Sequence, residues 1–415
     1  MRWGTHEFGV HLRASRVMVA TLAALGVAGL LMAVPISDAS ASISNVPNQS
    51  TRTLTLHSLS SAATNISDFG DSVAISGNTA VVGAVGAAYI FVQGSAGWPS
   101  TPTVILADPA DTSGDLFGAS VAISGPVAVI GASGAGSTPG LAYVYVEGAS
   151  GWPTTPTATL RDPKQVFSDL FGTSVAVSNR TIIVGAEGVK ERRGAAYIYQ
   201  GRARGWPSKP TVSRLDPGKA PGDIFGQAVA ISGATAIVGA YHTATTPGGA
   251  SYVYSKHGSR WASAPSAAMN DPDGSGFDEF GEAVDVSGST VVVGAPDSGG
   301  GAIYFYIKGT LGWPTTPTTT LSDPLATPSD AFGWSVSLSG AVAIVGAPGT
   351  DSDSESAYLY VEGSSGWPTV PTLSFQDPAK MSLDAFGDAV AVSGTTIVIG
   401  APNTDSGAGA AYFSS

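Results

Sequence analysis

Apolar residues fall in short runs along most of the chain, and turn residues separate the runs at regular intervals. In Val121-Ala122-Ile123-Ser124 and Val127-Ala128-Val129-Ile130 the break is Gly125-Pro126, which predicts two β-strands joined by a tight hairpin. A third run follows, such as Ala142-Tyr143-Val144-Tyr145 or, in the preceding unit, Ala88-Tyr89-Ile90-Phe91. After Gly97-Trp98-Pro99 that preceding unit adds a fourth run, Thr103-Val104-Ile105-Leu106, which stops at Asp108-Pro109. Each unit therefore holds four strands.

The units are copies of one another. A Phe-Gly pair occurs with its phenylalanine at Phe69, Phe117, Phe171, Phe225, Phe280, Phe332 and Phe386. From the glycine of each pair it is thirteen residues to the glycine of a Gly-Ala, at Gly83, Gly131, Gly185, Gly239, Gly294, Gly346 and Gly400, and the last three copies read Gly-Ala-Pro. Four antiparallel strands repeated roughly every 53 residues is the size of a propeller blade. The expected fold is all-β, a seven-bladed β-propeller of four-stranded antiparallel blades. The first two strands of each unit are almost continuously apolar and rich in Ala, Ser and Gly, as expected where blades cover one another and converge on an axis. The seventh unit runs out after Ala411-Tyr412-Phe413, while a spare strand, Thr53-Leu54-Thr55-Leu56, precedes the first Phe-Gly. That N-terminal strand is expected to complete the last blade and pair its open edge.

Composition narrows the class. Of 415 residues 43% are apolar and 12% charged, which excludes a disordered chain. There is no cysteine, hence no disulfide staple and no thiolate site. A net charge of -12 argues against nucleic acid as partner and favours cations or basic surfaces. Arg2, Arg13 and Arg16 precede an apolar run from Val17 to Val34, and Ala39-Ser40-Ala41 ends that segment in the layout of a cleaved secretory signal. The expected organisation is a signal peptide over residues 1–41 and one propeller over 42–415, secreted or attached at the cell surface, monomeric, with no membrane span in the mature chain.

Phe-Gly, a thirteen-residue step to Gly-Ala or Gly-Ala-Pro, and then an aromatic strand together resemble the FG-GAP repeat of integrin α-subunit propellers. The resemblance covers the whole mature chain and implies an extracellular recognition module for proteins, glycans or matrix. One feature of the integrin pattern does not carry over: its Asp-rich calcium loops sit in the hairpin between the first two strands. Here those turns are short, from Ser76-Gly77-Asn78 through Ser178-Asn179-Arg180 to Ser393-Gly394-Thr395, and contain no carboxylate.

A residue present in nearly every unit is read as structural. That covers the aspartates before proline (Asp108, Asp162, Asp216, Asp271, Asp323, Asp377) and those seven residues later (Asp115, Asp169, Asp223, Asp278, Asp330, Asp384). Such residues suit turns that accept backbone N–H groups. It also covers Trp98, Trp152, Trp206, Trp261, Trp313 and Trp367, with stacking on sugar rings as the alternative. Residues that break the repeat lie in the loops after Gly-Ala. Lys190, Arg192 and Arg193, with Glu191, make a charged spot in the third unit, and Tyr241 and His242 follow in the fourth; these are the candidate ligand contacts. Two acidic runs, Asp271, Asp273 and Asp278 with Ser275, and Asp351, Asp353 and Glu355, offer oxygen ligands to a hard cation such as calcium. Beyond residues 1–41 the sequence shows no histidine pair at zinc spacing, no Gly-x-Ser-x-Gly elbow and no phosphate loop. The expected function is non-enzymatic binding or adhesion through propeller-face loops; a carbohydrate-active enzyme or a lectin on the same scaffold are the alternatives.

Overall fold

A computed structural model describes residues 39–40 and 55–59 by their backbone. It also describes residues 67–414, apart from short loop segments at 111–113, 135–138, 204, 244–247, 275, 326–329, 350–354 and 380–382. Six sheets follow one another in the order of the chain, each an antiparallel run of four strands. Blade one is Ser72–Ser76, Thr79–Ala84, Ala87–Val92 and Val104–Ala107. Blade four is Val229–Ser232, Thr235–Ala240, Ala250–His257 and Ala267–Asn270, with the two-residue strand Arg260–Trp261 added in the hairpin before the last. Blade seven takes three strands from the C-terminal end, Val390–Ser393, Thr396–Ala401 and Ala410–Ser414. Its next strand is Thr55–Leu59, paired antiparallel with Leu56 opposite Ser414 and Leu59 opposite Ala411. The first strand of each blade contacts the first strand of the next, and that of blade seven contacts Ser72–Ser76 of blade one, so the innermost strands close a ring.

The apolar core lies between blades rather than within them. Seven clusters of buried side chains each draw on two adjacent blades; one joins Phe69, Val82 and Tyr89 of blade one to Val398 and Phe413 of blade seven. All seven repeated phenylalanines are fully buried. Each ring packs against the first tyrosine of its own blade's third strand, from 5.2 Å between Phe69 and Tyr89 to 5.7 Å between Phe225 and Tyr252.

The Phe-Gly pair forms the two central residues of a tight turn. The residue after it donates its N–H to the carbonyl of the residue before it, as from Gln227 to Ile224 at 3.2 Å and from Asp71 to Asp68 at 3.0 Å. The pair's glycines have φ between 95 and 103°, the value at the third position of a type II turn that side chains disfavour. The preceding residue is left-handed in every blade, Ile224 included, with φ of 52 to 61°. Holding a β-branched residue there costs of order 1–3 kcal/mol, which the surrounding packing must offset.

The second glycine of the repeat is required by the neighbouring blade. The N–H of Gly226 donates to the carbonyl of Gly239 in its own blade (2.9 Å), while the carbonyl of Gly226 presses on Gly185 of the blade before. A Cβ on Gly185 would overlap that oxygen, and the same contact recurs round the ring to Gly400 against Gly70. In four blades a serine also donates to the same carbonyl, as Ser174 does to Gly226 at 2.8 Å.

A second ring of bonds runs through the hairpins between first and second strands. Gly125 N–H donates to Ser76 Oγ, Asn179 to Ser124, Gly233 to Ser178, Gly288 to Ser232, Gly340 to Ser287, Gly394 to Ser339 and Gly77 to Ser393, all at 3.0 to 3.2 Å. The short serine-containing turns that leave no room for a calcium loop thus link every blade to its neighbour.

Candidate functional site on the loop face

The loops after Gly-Ala and the loops leading into Phe-Gly both adjoin the outset of the innermost strands. The repeated aspartates there are committed to main-chain bonds. Asp162 accepts from Lys164 (2.9 Å), Asp216 from Gly218 (2.9 Å), Asp323 from Leu325 (3.1 Å) and Asp377 from Ala379 (3.0 Å). The members seven residues later are buried, and Asp115 accepts from Phe117 N–H at 3.0 Å. Burial, with Asp108 close by, pushes the Asp115 carboxyl up to about 6, and burial does the same for Asp216 and Asp384.

The tryptophans pack as well. Trp152, Trp261, Trp313 and Trp367 are buried. Trp367 stacks on Phe305 of the preceding blade at 4.2 Å and 11°, and Trp98 lies 4.6 Å from Phe413 across the seam. One face of each of these two indoles is taken by packing within the fold.

The charged loop of blade three is divided by the fold. Lys190, Glu191 and Arg192 all adopt left-handed φ of 52 to 61°, between Gly188 and Gly194. The loop's carbonyls hold the next blade's approach: Gly222 N–H donates to Glu191, Ile224 to Arg192 at 2.8 Å and Phe225 to Arg193. Lys190 is exposed. Arg193 turns to Asp216, donating to its carbonyl at 2.8 Å with a 3.5 Å ion pair to its carboxylate. Arg192 turns to Glu187, 3.4 Å away, the residue after Gly-Ala in blade three. His242 is exposed, its Nδ1 3.1 Å from the Gly222 carbonyl.

Around Arg192 and Tyr241 the structure gathers residues that the sequence reading did not single out. Glu187 and Glu282 are 3% and 4% exposed. Glu279 and Glu282 flank the Phe-Gly of blade five, and the turn bond from Glu282 N–H to the Glu279 carbonyl (2.9 Å) brings them to one end of that strand. Burial, reinforced by the charges of Asp297 and Glu282, pushes Glu279 up to about 8, so it carries its proton at neutral pH. Burial raises the Glu187 carboxyl, against the pull of Arg192. Burial raises the Tyr241 phenol, and the charges of Glu282, Glu187 and Glu279 raise it further. Blades three, four and five thus contribute one acidic and aromatic cluster. The sequence marks them only weakly, because both positions vary: Glu187 stands where other units carry Val, Ser, Tyr or Pro, and Glu282 where they carry Asp, Ala, Thr, Gln or Trp. A separate channel-side carboxylate, Asp285, is used structurally, bridging to Leu338 N–H of blade six at 2.6 Å.

The two acidic runs fare differently. Asp271 accepts from the N–H groups of Asp273 (3.2 Å) and Gly274 (2.7 Å), and Tyr304 Oη donates to Asp273 at 3.2 Å. Asp278 is buried at the approach to blade five. Asp351, Asp353 and Ser275 lie outside the described residues, while Glu355 is buried and accepts from Phe386 N–H at 3.2 Å. Among the described residues no three acidic or histidine side chains are arranged to hold a metal ion. The apolar segment 17–34 also lies outside them, and no described helix is long and apolar enough to cross a membrane.

No curated protein is similar enough to the chain to count as a match. The family model for the FG-GAP repeat matches six stretches, residues 104–145, 155–199, 215–254, 266–306, 318–360 and 377–413, each beginning at or beside the outer strand of one blade and ending in the third strand of the next. With more than half its length so matched and seven blades built on the Phe-Gly to Gly-Ala step, the chain belongs to the FG-GAP repeat family.

Proposed function

We propose that this propeller is a secreted, non-enzymatic binding module whose partner, an extracellular protein or glycan, seats on the face formed by the loops after Gly-Ala and those leading into Phe-Gly. FG-GAP propellers are binding and adhesion modules in general, and the fold supports that class here. The observation that carries the site is the gathering of residues from variable positions, Glu187, Arg192, Tyr241, Glu279 and Glu282, on three consecutive blades of one face. Variation concentrated on a rigid repeated frame is the usual form of a recognition surface. The layout of residues 1–41 supports secretion.

The test is a screen of extracellular proteins and a glycan array with the mature chain, followed by Glu282→Gln and Tyr241→Phe. The expected result is a ligand whose affinity falls at least roughly tenfold in each variant while the Tm is unchanged. Ligands whose binding survives both changes would place the site elsewhere.

A second reading has one observation in its favour. A carboxyl held protonated at neutral pH beside another glutamate is the pairing used in glycoside hydrolysis. Under that reading polysaccharide cleavage is measurable in the wild type and is abolished by Glu279→Gln; no cleavage of acidic or neutral polysaccharides removes it.

A further inference from the structure

Blade two carries a cavity of about 420 Å³ that neither the repeat nor the cluster on blades three to five explains. It opens on the same loops, between the turn that follows Asp108, the loop before Leu141 and the outer strand Ala158–Arg161. The volume lies in the range of small-ligand clefts and suits one or two pyranose rings.

The cavity's single cation is Arg161. Its guanidinium makes no hydrogen bond or ion pair to any described residue, although the chain as a whole is strongly acidic. At the same position before the Asp-Pro turn the other units carry Ala107, Leu215, Asn270, Ser322 and Gln376, none charged. The contrast with Arg214 of blade three is direct: that guanidinium lies 5.7 Å over Tyr254 and donates to the carbonyls of Trp261 and Ala262, a use within the fold. Among the described residues the bonds of Arg161 are main-chain ones: it pairs with Leu141 in the sheet, and its carbonyl accepts from Tyr199 Oη at 2.6 Å.

The rest of the lining divides into two kinds. Pro139, Pro156 and Leu141 give flat apolar surface of the sort that takes the C–H face of a sugar. Tyr143, Thr159 and Asp115 give hydroxyl and carboxyl groups. Arg161 and Tyr143 both line the cavity wall. Burial of Asp115 keeps part of it protonated in mildly acidic conditions, so it can donate to a sugar hydroxyl as well as accept from one.

We propose that this cavity binds a carboxylate-bearing sugar, a uronic acid unit of an acidic glycan, with the carboxylate on Arg161 and the ring over the prolines. The inference rests on the reading of the loop face as a recognition surface and names one ligand class for it. A guanidinium meets a carboxylate through two parallel N–H donors, which a neutral sugar cannot match.

The experiment is titration calorimetry of the mature chain with oligogalacturonate and oligoglucuronate, with a neutral galactose oligomer of equal length and with an acidic peptide. We expect a uronate oligomer to bind at least tenfold more tightly than the neutral one, and Arg161→Gln to remove that difference with an unchanged Tm. Lys209→Gln, an exposed cation in the hairpin between the third and fourth strands of blade three, should leave uronate binding as it was. Equal binding of acidic and neutral sugars, tighter binding of the acidic peptide, retention of uronate affinity in Arg161→Gln, or no binding of either uronate would each overturn the inference. If uronates fail while another ligand binds in a Glu282-dependent way, the inference falls and the broader reading of the face stands; if no ligand depends on either residue, both fall.

Discussion

The amide of Gly77 in blade one donates to the hydroxyl of Ser393 in blade seven, 316 residues away, at 3.0 Å. It is the same bond that joins every other pair of neighbouring hairpins, but here it joins the two ends of the folded chain. Beside it Gly400 rests on the Gly70 carbonyl, and Asp68 N–H reaches the Gly407 carbonyl at 2.9 Å. The seam is therefore built like the other junctions.

Removing that hydroxyl should be felt. Ser393→Ala is expected to cost about 1 kcal/mol, as for an ordinary intramolecular hydrogen bond. Ser178→Ala, at the equivalent bond to Gly233, should cost a similar amount. Urea unfolding of both measures it, and a loss only at Ser178 would show that the seam is held by other contacts.

The fully buried ring of Phe225 lies in the cluster between blades three and four, 5.7 Å from Tyr252. Phe225→Ala should cost roughly 3–5 kcal/mol. A loss below roughly 1 kcal/mol, measured in the same denaturation experiment, would contradict the packing described.

Stability should depend on pH in an unusual direction. Asp115, Asp216, Asp384 and Asp285 are pushed up to about 6 and Glu279 to about 8, mainly by burial. Each holds its proton more tightly in the folded chain than in the unfolded one. Their contribution is complete below the ordinary carboxylate range near pH 4 and is lost as the pH rises through 6, then through 8 for Glu279. The Tm is expected to fall by a few °C between pH 5 and 8. Calorimetry showing a rise over that interval would mean these carboxyls are ionised in the fold.

Deleting residues 42–58 removes most of the strand that pairs with Ala410–Ser414. An edge of unpaired N–H and C=O groups is then left on blade seven, and the truncated protein should aggregate or be cut by protease faster than the full chain. Equal Tm and equal protease resistance would show that the strand is dispensable.

Much of this architecture was legible from spacing alone, because the thirteen-residue step is also the step across one hairpin. Blade number, strand order and the burial of Phe225 follow from it. Ser76 and its counterparts were visible only as turn residues, since the bond each makes is to a residue 49 to 56 positions away, or 316 at the seam. The candidate site was legible in part. Arg192 and Tyr241 stood out because they break the repeat in loops, but Glu187, Glu279 and Glu282 sit against the repeated glycines and were hidden by the motif itself. Sequence also could not separate Arg193, turned to Asp216, from Arg192 one residue earlier; a left-handed loop decides it.

The glycine contacts bear on a quantity no single blade determines. Gly185 and its counterparts meet the next blade main chain to main chain, so the angular step from blade to blade at the axis is set by two backbones in contact. Side chains differ from one junction to another; that contact does not. The number of blades that complete a circle is then a property of the glycines, and a bulkier residue there would alter the curvature of the whole ring rather than damage one joint.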